Sequence, residues 1–389
     1  MRPAVIFLWD NFGPYHVDRL EAATAALSAE FRTIGVGIAG SSAIYAWTPP
    51  GEQSSLERIT LFPDLADESV SRWRCFGALA RLCWRLRPRH VFLCHYEKLE
   101  IFLLAVLLHL AGSRPYCMVE SKFDDRPRQI WRELGKAFFC LPYRGTLVGG
   151  RRSGDYLRFL RFDPSRIAFG YDTVSMARIR RLAESPPAPQ GRAHAERHFT
   201  VIARLVPKKN ITLALRAYAL YCDAAGAAAR ALHICGSGVL EPSLREEVRA
   251  LGLSRVIFHG FIQAPEIARV LASTLALILP STEEQWGLVV NEALAMGVPI
   301  LCSENAGARD LLVRTAVNGY VFEPDNREGL ARFMRKLAED EAEWRHLADG
   351  SLALAPMADA AQFACGVRRL MGLDPVAAVL DQAVARGTL

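Results

Sequence analysis

Residues Leu279 to Cys302 read LPSTEEQWGLVVNEALAMGVPILC. An apolar run ends at Pro280, and an acidic loop with Glu283 and Glu284 follows. Gly287 is then expected to open an apolar helix running to Met296, with Gly297 ending it and Pro299 starting the next strand. Strand, loop, helix and strand in that order make a parallel βαβ unit, whose ligand crevice lies at the carboxyl edge of the strands. Glu284 falls in the loop at that edge, and Glu292 follows eight residues later on the helix. Backbone N–H groups around Gly287 and Leu288 would suit a phosphate, and carboxylates beside it can grip hydroxyls of a sugar or ribose. On spacing alone the plainer reading, a helix cap for Glu284 and a surface charge for Glu292, is favoured.

The same alternation runs outward in both directions. Ala4–Trp9, Val91–Cys94, Tyr116–Val119 and Thr146–Val148 read as buried strands of a first half. Phe199–Ala203, Ala231–Cys235, Val256–Phe258, Ala276–Leu279, Pro299–Cys302 and Gly319–Phe322 do so in a second. Short continuous apolar runs separated by longer helical stretches mean parallel sheets covered on both faces, hence doubly wound α/β domains. Glu184 to His198, ESPPAPQGRAHAERH, has three prolines and no apolar period, and reads as an exposed linker or loop. The expected division is a domain over 1–173, a second over 174–352, and a helical tail over 353–389.

Three further strand ends in the second half carry candidate groups. In VIARLVPKKN, residues 201–210, a strand delivers Arg204 and the next turn carries Lys209, two cations suited to clamp a diphosphate. Solvated loop charge explains them equally well when they are taken alone. Cys235-Gly236-Ser237-Gly238 is a glycine turn that lets a ligand approach the backbone, and His259-Gly260-Phe261 is another strand end.

Composition narrows the classes. The chain has 389 residues, 51% hydrophobic and 23% charged, which excludes a disordered or fibrous protein and leaves room for two cores. Net charge is +6, and residues 1–175 carry 23 Lys and Arg against 18 Asp and Glu. That mild excess allows an anionic membrane surface or a phosphate-bearing ligand, but it lacks the dense basic patch that nucleic acid demands. Nine cysteines without a CxxC, most inside apolar runs, read as reduced thiols of a cytoplasmic protein. The longest apolar stretch, Ile101 to Ala111, contains His109 and is too short to span a bilayer. Gly35-Val-Gly37-Ile-Ala-Gly40 fits GxGxxG, but Ser41 to Pro50 beyond it holds two prolines and no helical period, so a loop is expected there instead of a dinucleotide site. No P-loop, HExxH, DxD or Cys/His ligand spacing occurs.

Taken together, Arg204 with Lys209, the Gly236–Gly238 turn, Gly260-Phe261 and Glu284-x7-Glu292 stand at successive strand ends in a consistent order. With Ala293-Leu-Ala-Met-Gly297-Val-Pro299 they resemble a GT-B glycosyltransferase of family 4, the retaining group 1 type, most strongly over residues 199–325. The resemblance implies two Rossmann-like domains facing across a cleft, with C-terminal helices returning to the first. It implies a nucleotide-diphosphate sugar as donor, with no cofactor and no metal. Glu284 would contact the transferred sugar, Glu292 the ribose, Arg204 and Lys209 the diphosphate, Gly287 and Leu288 its phosphate, and Gly260 and Phe261 the base. The first domain would take the acceptor and offer the loop Asn11-Phe12-Gly13-Pro14-Tyr15-His16, with Gly13 near the donor phosphate and His16 a catalytic candidate. The chain departs from the family pattern in three places. Gly13 stands where two adjacent glycines are usual, Glu120-Ser121-Lys122 replaces a histidine after Tyr116–Val119, and Asp310 replaces a glutamate.

Retaining transfer of a sugar in envelope polysaccharide or glycolipid synthesis is the favoured reading. The alternatives are a sugar-nucleotide epimerase or phosphorylase-type enzyme and an inert sugar-nucleotide-binding protein. Ser71 to Arg89, SRWRCFGALARLCWRLRPR, interleaves six arginines with apolar residues and has no acidic one. It reads as a helix covering the first sheet whose arginines also suit anionic lipid headgroups, consistent with a lipid-linked acceptor.

Overall fold

The computed structural model describes residues 2–41, 56–125 and 128–373. The chain divides into two units, Met1–Ser175 with Ala360–Leu389, and Met176–Asp359. Residues 42–50 of the expected loop and 374–389 of the tail expected over 353–389 lie outside the described residues.

The first unit is built on a seven-stranded parallel sheet. Its strands are β1 (Ala4–Trp9), β2 (Arg32–Ser41), β3 (Glu57–Ala66), β4 (His90–Leu93), β5 (Arg114–Val119), β6 (Thr146–Val148) and β7 (Ile167–Phe169). The order across the sheet is β3-β2-β1-β4-β5-β6-β7. All six residues of β1 are buried, as a central strand covered on both faces requires. The GxGxxG segment is neither a cofactor turn nor the expected loop, because Gly35, Gly37 and Gly40 lie inside β2. A Cβ on Gly35 would stand 2.5 Å from Leu20 Cδ2, and one on Gly40 would stand 1.9 Å from the Pro63 carbonyl oxygen. These glycines let a helix and an edge strand approach closely. Helix Ala360–Met371 packs on helix Pro14–Leu27, inserts Phe363 beside Phe7, and anchors through Arg368 Nη1 donating to Ala26 O at 2.8 Å.

The second unit holds six parallel strands: β8 (His198–Ile202), β9 (Leu232–Cys235), β10 (Val256–Gly260), β11 (Thr274–Leu279), β12 (Ile300–Ser303) and β13 (Gly319–Phe322). Their order is β10-β9-β8-β11-β12-β13. The doubly wound α/β class expected from the sequence is present in both units. Residues 184–198, expected to be an exposed linker or loop, form a largely exposed loop that is pinned to this unit at three buried residues. Ala188 is buried and donates its N–H to Met296 O, and His194 Nε2 meets Leu337 O at 2.8 Å. Arg197 is buried over the Trp344 ring and donates to the carbonyls of Gln190, Arg192, Ala272 and Thr274. Polar bonds hold this segment in place of an apolar stripe, which is why it showed no periodicity.

All nine cysteines are free, and seven are buried. Burial pushes the thiols of Cys83, Cys140 and Cys235 up to about 12, so they pack as neutral groups. Among the described residues no helix is long and apolar enough to cross a membrane.

One face of the second sheet stacks two imidazoles, His198 and His233, with centroids 3.6 Å apart. Burial, then the neighbouring imidazoles, pushes His198 down to about 3 and His233 down to about 4. The unfolded chain takes up these protons near pH 6.5, whereas the folded chain refuses them until lower pH. Stability is therefore expected to fall as pH drops from about 6.5 toward 4. Changing both residues to Gln should flatten the fall in urea midpoint over that range; an unaltered fall would contradict this assignment.

Candidate functional site

Strand order decides where a ligand can sit. The connection from β8 leads to β9 on one side, while the connection from β11 leads to β12 on the other. Such a reversal marks the carboxyl edge at which parallel sheets bind ligands, and here the loops after the two strands are joined, with Thr282 N–H donating to Lys208 O at 2.9 Å. Arg204 and Lys209 follow β8, and Glu284 follows β11, so residues far apart in sequence converge at the same edge.

Lys209 and Glu284 meet directly. The Lys209 ammonium donates to Glu284 Oε2, which also accepts from Ser281 Oγ at 3.1 Å. Both charged side chains are largely buried, and desolvation strengthens their attraction. A Cβ on Gly287 would lie 3.4 Å from Glu284 Cγ, so this glycine sits against the paired carboxylate. Its φ of +100° also suits glycine far better than any other residue. The helix begins later than expected, at Val289, with Leu288 as its N-cap. The left-handed turn at Gly287 delays it.

Glu292 is not the surface charge that its spacing suggested. It is 3% exposed, on the helix Val289–Ala295, next to Asn291, which accepts from Trp286 Nε1 at 2.9 Å. Arg204 is exposed just past β8. Gly238 and Gly236 allow the loops after β8 and β9 to touch: added Cβ atoms would stand 2.4 Å from Leu205 O and 1.9 Å from Ala203 O. Gly236 N–H donates to Gly260 O at 2.7 Å, which ties the third strand end into the same edge. Phe261, beyond it, is exposed. Asp310 lies on the short helix Arg309–Leu312, 3.3 Å from Arg309 Nη1.

Sequence reading passed over two residues that build this edge. Asn210 adopts a left-handed conformation, and its Nδ2 donates to Pro280 O at 3.1 Å and Pro324 O at 2.8 Å, fastening the loops after β8, β11 and β13 together. No spacing in the sequence signals this clamp, because its partners lie 70 and 114 residues away. Gly307 permits a bridge between Glu284 and Ala306, since a Cβ there would strike Gln285 O at 1.8 Å.

The first unit repeats the rule at its own switch between β1 and β4. His95, left-handed with φ 55°, places Nε2 on Asp10 Oδ2, and Lys98 Nζ lies 3.3 Å from Asp10 Oδ1. Burial opposes charge on His95, but Cys94 and Asp10 outweigh it and hold the imidazole well above its usual range. None of these three residues was singled out from sequence, because the partners are 85 or more residues apart. His16 accepts from Gly13 N–H at 3.1 Å and stacks on Trp9. Burial, then Arg19, pushes His16 down to about 3, so it stands neutral as a helix-start residue. Gly13 is extended, with φ −105°, a conformation that does not demand glycine. Glu120 follows β5, and its carbonyl accepts from Ser153 Oγ. Burial, then Glu120, drives Asp172 well above the usual carboxylate range.

Residues 185–350 match the family model for glycosyl transferases group 1. The D-inositol 3-phosphate glycosyltransferase of Streptomyces griseus is 26% identical over 239 residues, 55% of this chain and 50% of that protein. The chain spans about half the length of the curated relatives it matches. Among solved structures, Anabaena HepE in complex with UDP superposes with a TM-score of 0.69 at 14% identity, covering 96% of this chain and all of that one. Sucrose-phosphate synthase from Thermosynechococcus elongatus gives 0.70 at 15%, covering 95% and 98%. The fold is that of the GT-B glycosyltransferases.

Arg204→Ala removes an exposed side chain and is expected to melt within about 2 °C of wild type. Lys209→Ala should cost about 1–3 kcal/mol of stability, since Glu284 loses its buried partner. Urea unfolding tests both variants; a Lys209→Ala midpoint equal to that of wild type would contradict the pairing.

Proposed function

We propose that this chain, whose second unit is a glycosyl transferases group 1 domain, is a retaining glycosyltransferase that moves a sugar from a nucleoside-diphosphate sugar to an acceptor. The observation that carries the reading is the convergence of Arg204, Lys209 and Glu284 at the switch between β8 and β11. When the bond from the anomeric carbon to the diphosphate oxygen breaks, negative charge grows on the diphosphate. Arg204 and Lys209 are cations at that position, and removing one preorganised donor typically costs about 3–4 kcal/mol in the transition state. Lys209 also fixes Glu284, so the carboxylate is oriented to accept hydroxyls of the transferred sugar. Glu292 takes the ribose, Gly287 and Leu288 line the phosphate, and Gly260 and Phe261 border the base. Uridine carriers are supported by the UDP and UDP-glucose in the HepE complexes.

The acceptor hydroxyl attacks from the face the diphosphate leaves, its oxygen bonds the anomeric carbon, and its proton passes to the departing phosphate. The configuration is retained. With two cations carrying the developing charge, no divalent metal is assigned to the step. His16 is assigned a positioning role, since its neutral ring is held by Gly13. The first unit is assigned the acceptor, at the edge marked by Asp10, His95 and Lys98. The arginines of helix Arg72–Leu86 favour an acceptor at an anionic membrane surface, as in envelope glycoconjugate assembly.

Donor screening with UDP, GDP and ADP sugars against lipid-linked and soluble acceptors tests this. Transfer is expected to proceed in excess EDTA and give a product of unchanged anomeric configuration by NMR. Inversion would contradict the retaining assignment. Activity abolished by EDTA and restored by magnesium or manganese would contradict the metal-free one. Nucleotide release that ignores every acceptor would favour a non-transferase enzyme.

A further inference from the structure

Helix Ile130–Phe139 is amphipathic in the inverted sense. Its one buried residue is Glu133, 3% exposed, which accepts from Tyr156 Oη and pairs with Lys136 Nζ at 2.9 Å and Arg128 Nη1 at 3.5 Å. Four of its apolar side chains face outward, with Phe139 alone packed against the core: Trp131 is 81% exposed, and Ile130, Leu134 and Phe138 are exposed with it. At 100° per residue these four fall within one stripe about 100° wide. A surface helix ordinarily points that stripe at the core. Here a carboxylate network holds the polar side inward, so the apolar side is committed to whatever lies outside.

The stripe continues onto its neighbours. Phe102, on helix Leu99–Leu110, contacts the Phe138 ring at 5.4 Å, and His109 Nδ1 meets Pro142 O at 3.1 Å. Their chain neighbours, Leu110 at 79% and Leu141 at 70%, are exposed as well. Helix Arg72–Leu86 also packs against helix Leu99–Leu110. It buries Cys75, Leu79, Leu82 and Cys83 and leaves Trp73 and Trp84 exposed among Arg74, Arg81 and Arg85. An apolar patch of this extent marks an interaction surface. Aromatic and aliphatic groups next to a row of arginines match the interface of an anionic bilayer, apolar below the headgroups and negative at them.

We propose that helix Ile130–Phe139, with Leu110 and Leu141, inserts into the headgroup–acyl boundary of an anionic membrane while helix Arg72–Leu86 engages the headgroups. The proposal rests on the anionic-surface reading above for the identity of the occupant, and the inverted helix is its own observation. Division of labour follows: arginines supply salt-sensitive attraction, and the stripe supplies an apolar term that salt does not screen.

Full-length protein is sedimented with vesicles of phosphatidylcholine alone and with added phosphatidylglycerol, at low and high salt. Three proteins are compared: wild type, the triple variant Leu134→Ser, Phe138→Ser, Leu141→Ser, and the triple variant Arg81→Gln, Arg85→Gln, Arg89→Gln. The serine variant should partition about tenfold or more weakly at both salts, with UDP affinity intact. Lipids brominated on the acyl chain should quench wild-type tryptophan fluorescence, and Trp131→Phe should lose most of that quenching. Wild-type partition by the serine variant, with no quenching, overturns insertion, and the arginine variant then reports separately whether headgroup attraction survives. Failure of wild type to bind anionic vesicles overturns both readings. Self-association of wild type that the serine variant abolishes would assign the face to a second copy and overturn the membrane.

Discussion

Two neighbouring strands whose connections run in opposite directions are the constraint on which the second unit depends. Beyond β8 the chain turns toward β9, and beyond β11 it turns toward β12, so the connecting segments leave the two carboxyl ends in opposite directions. Right-handed crossovers produce this divergence wherever strand order reverses. The Lys209–Glu284 pair joins the two loops there, and Asn210 fastens them. Holding two opposite charges out of water is costly unless each stays paired. Lys209 and Glu284 meet that condition through each other.

The first unit obeys the same rule with different chemistry. Its reversal falls between β1 and β4, and the loops beyond them bring Asp10 to His95 and Lys98. The left-handed backbone at His95 is uncommon for a residue with a side chain and concentrates at functional positions. Each unit thus presents its own cluster of paired charges at a switch point.

Sequence made the second unit readable because its strands are continuous apolar runs punctuated by glycine and proline. The runs at Ala276–Leu279 and Gly319–Phe322 lie within observed strands. The first unit was harder to read. Three glycines made β2 look like a loop, and β3 carries charges and Pro63 because it is an edge strand with partly exposed faces. The stretch 184–198 is the loop its composition suggested, but its anchoring was hidden, because Arg197 and His194 hold it through polar bonds that leave no period in the sequence. Arg204, Lys209, Glu284 and Glu292 could be picked out by order along the chain. The burial of Glu292 and the clamp by Asn210 could not, since both depend on which loops become neighbours. The direction of helix Ile130–Phe139 was equally hidden, because a helical period fixes the width of an apolar stripe and leaves open which way it faces.

Hydrogen exchange of the whole chain with and without UDP tests most directly that a nucleoside diphosphate binds at the switch between β8 and β11. The account predicts added protection of backbone amides in 203–210 and 281–292, with 130–142 unchanged. Protection confined to the loop 10–16 and 94–98, with 203–210 and 281–292 unaffected, would contradict it.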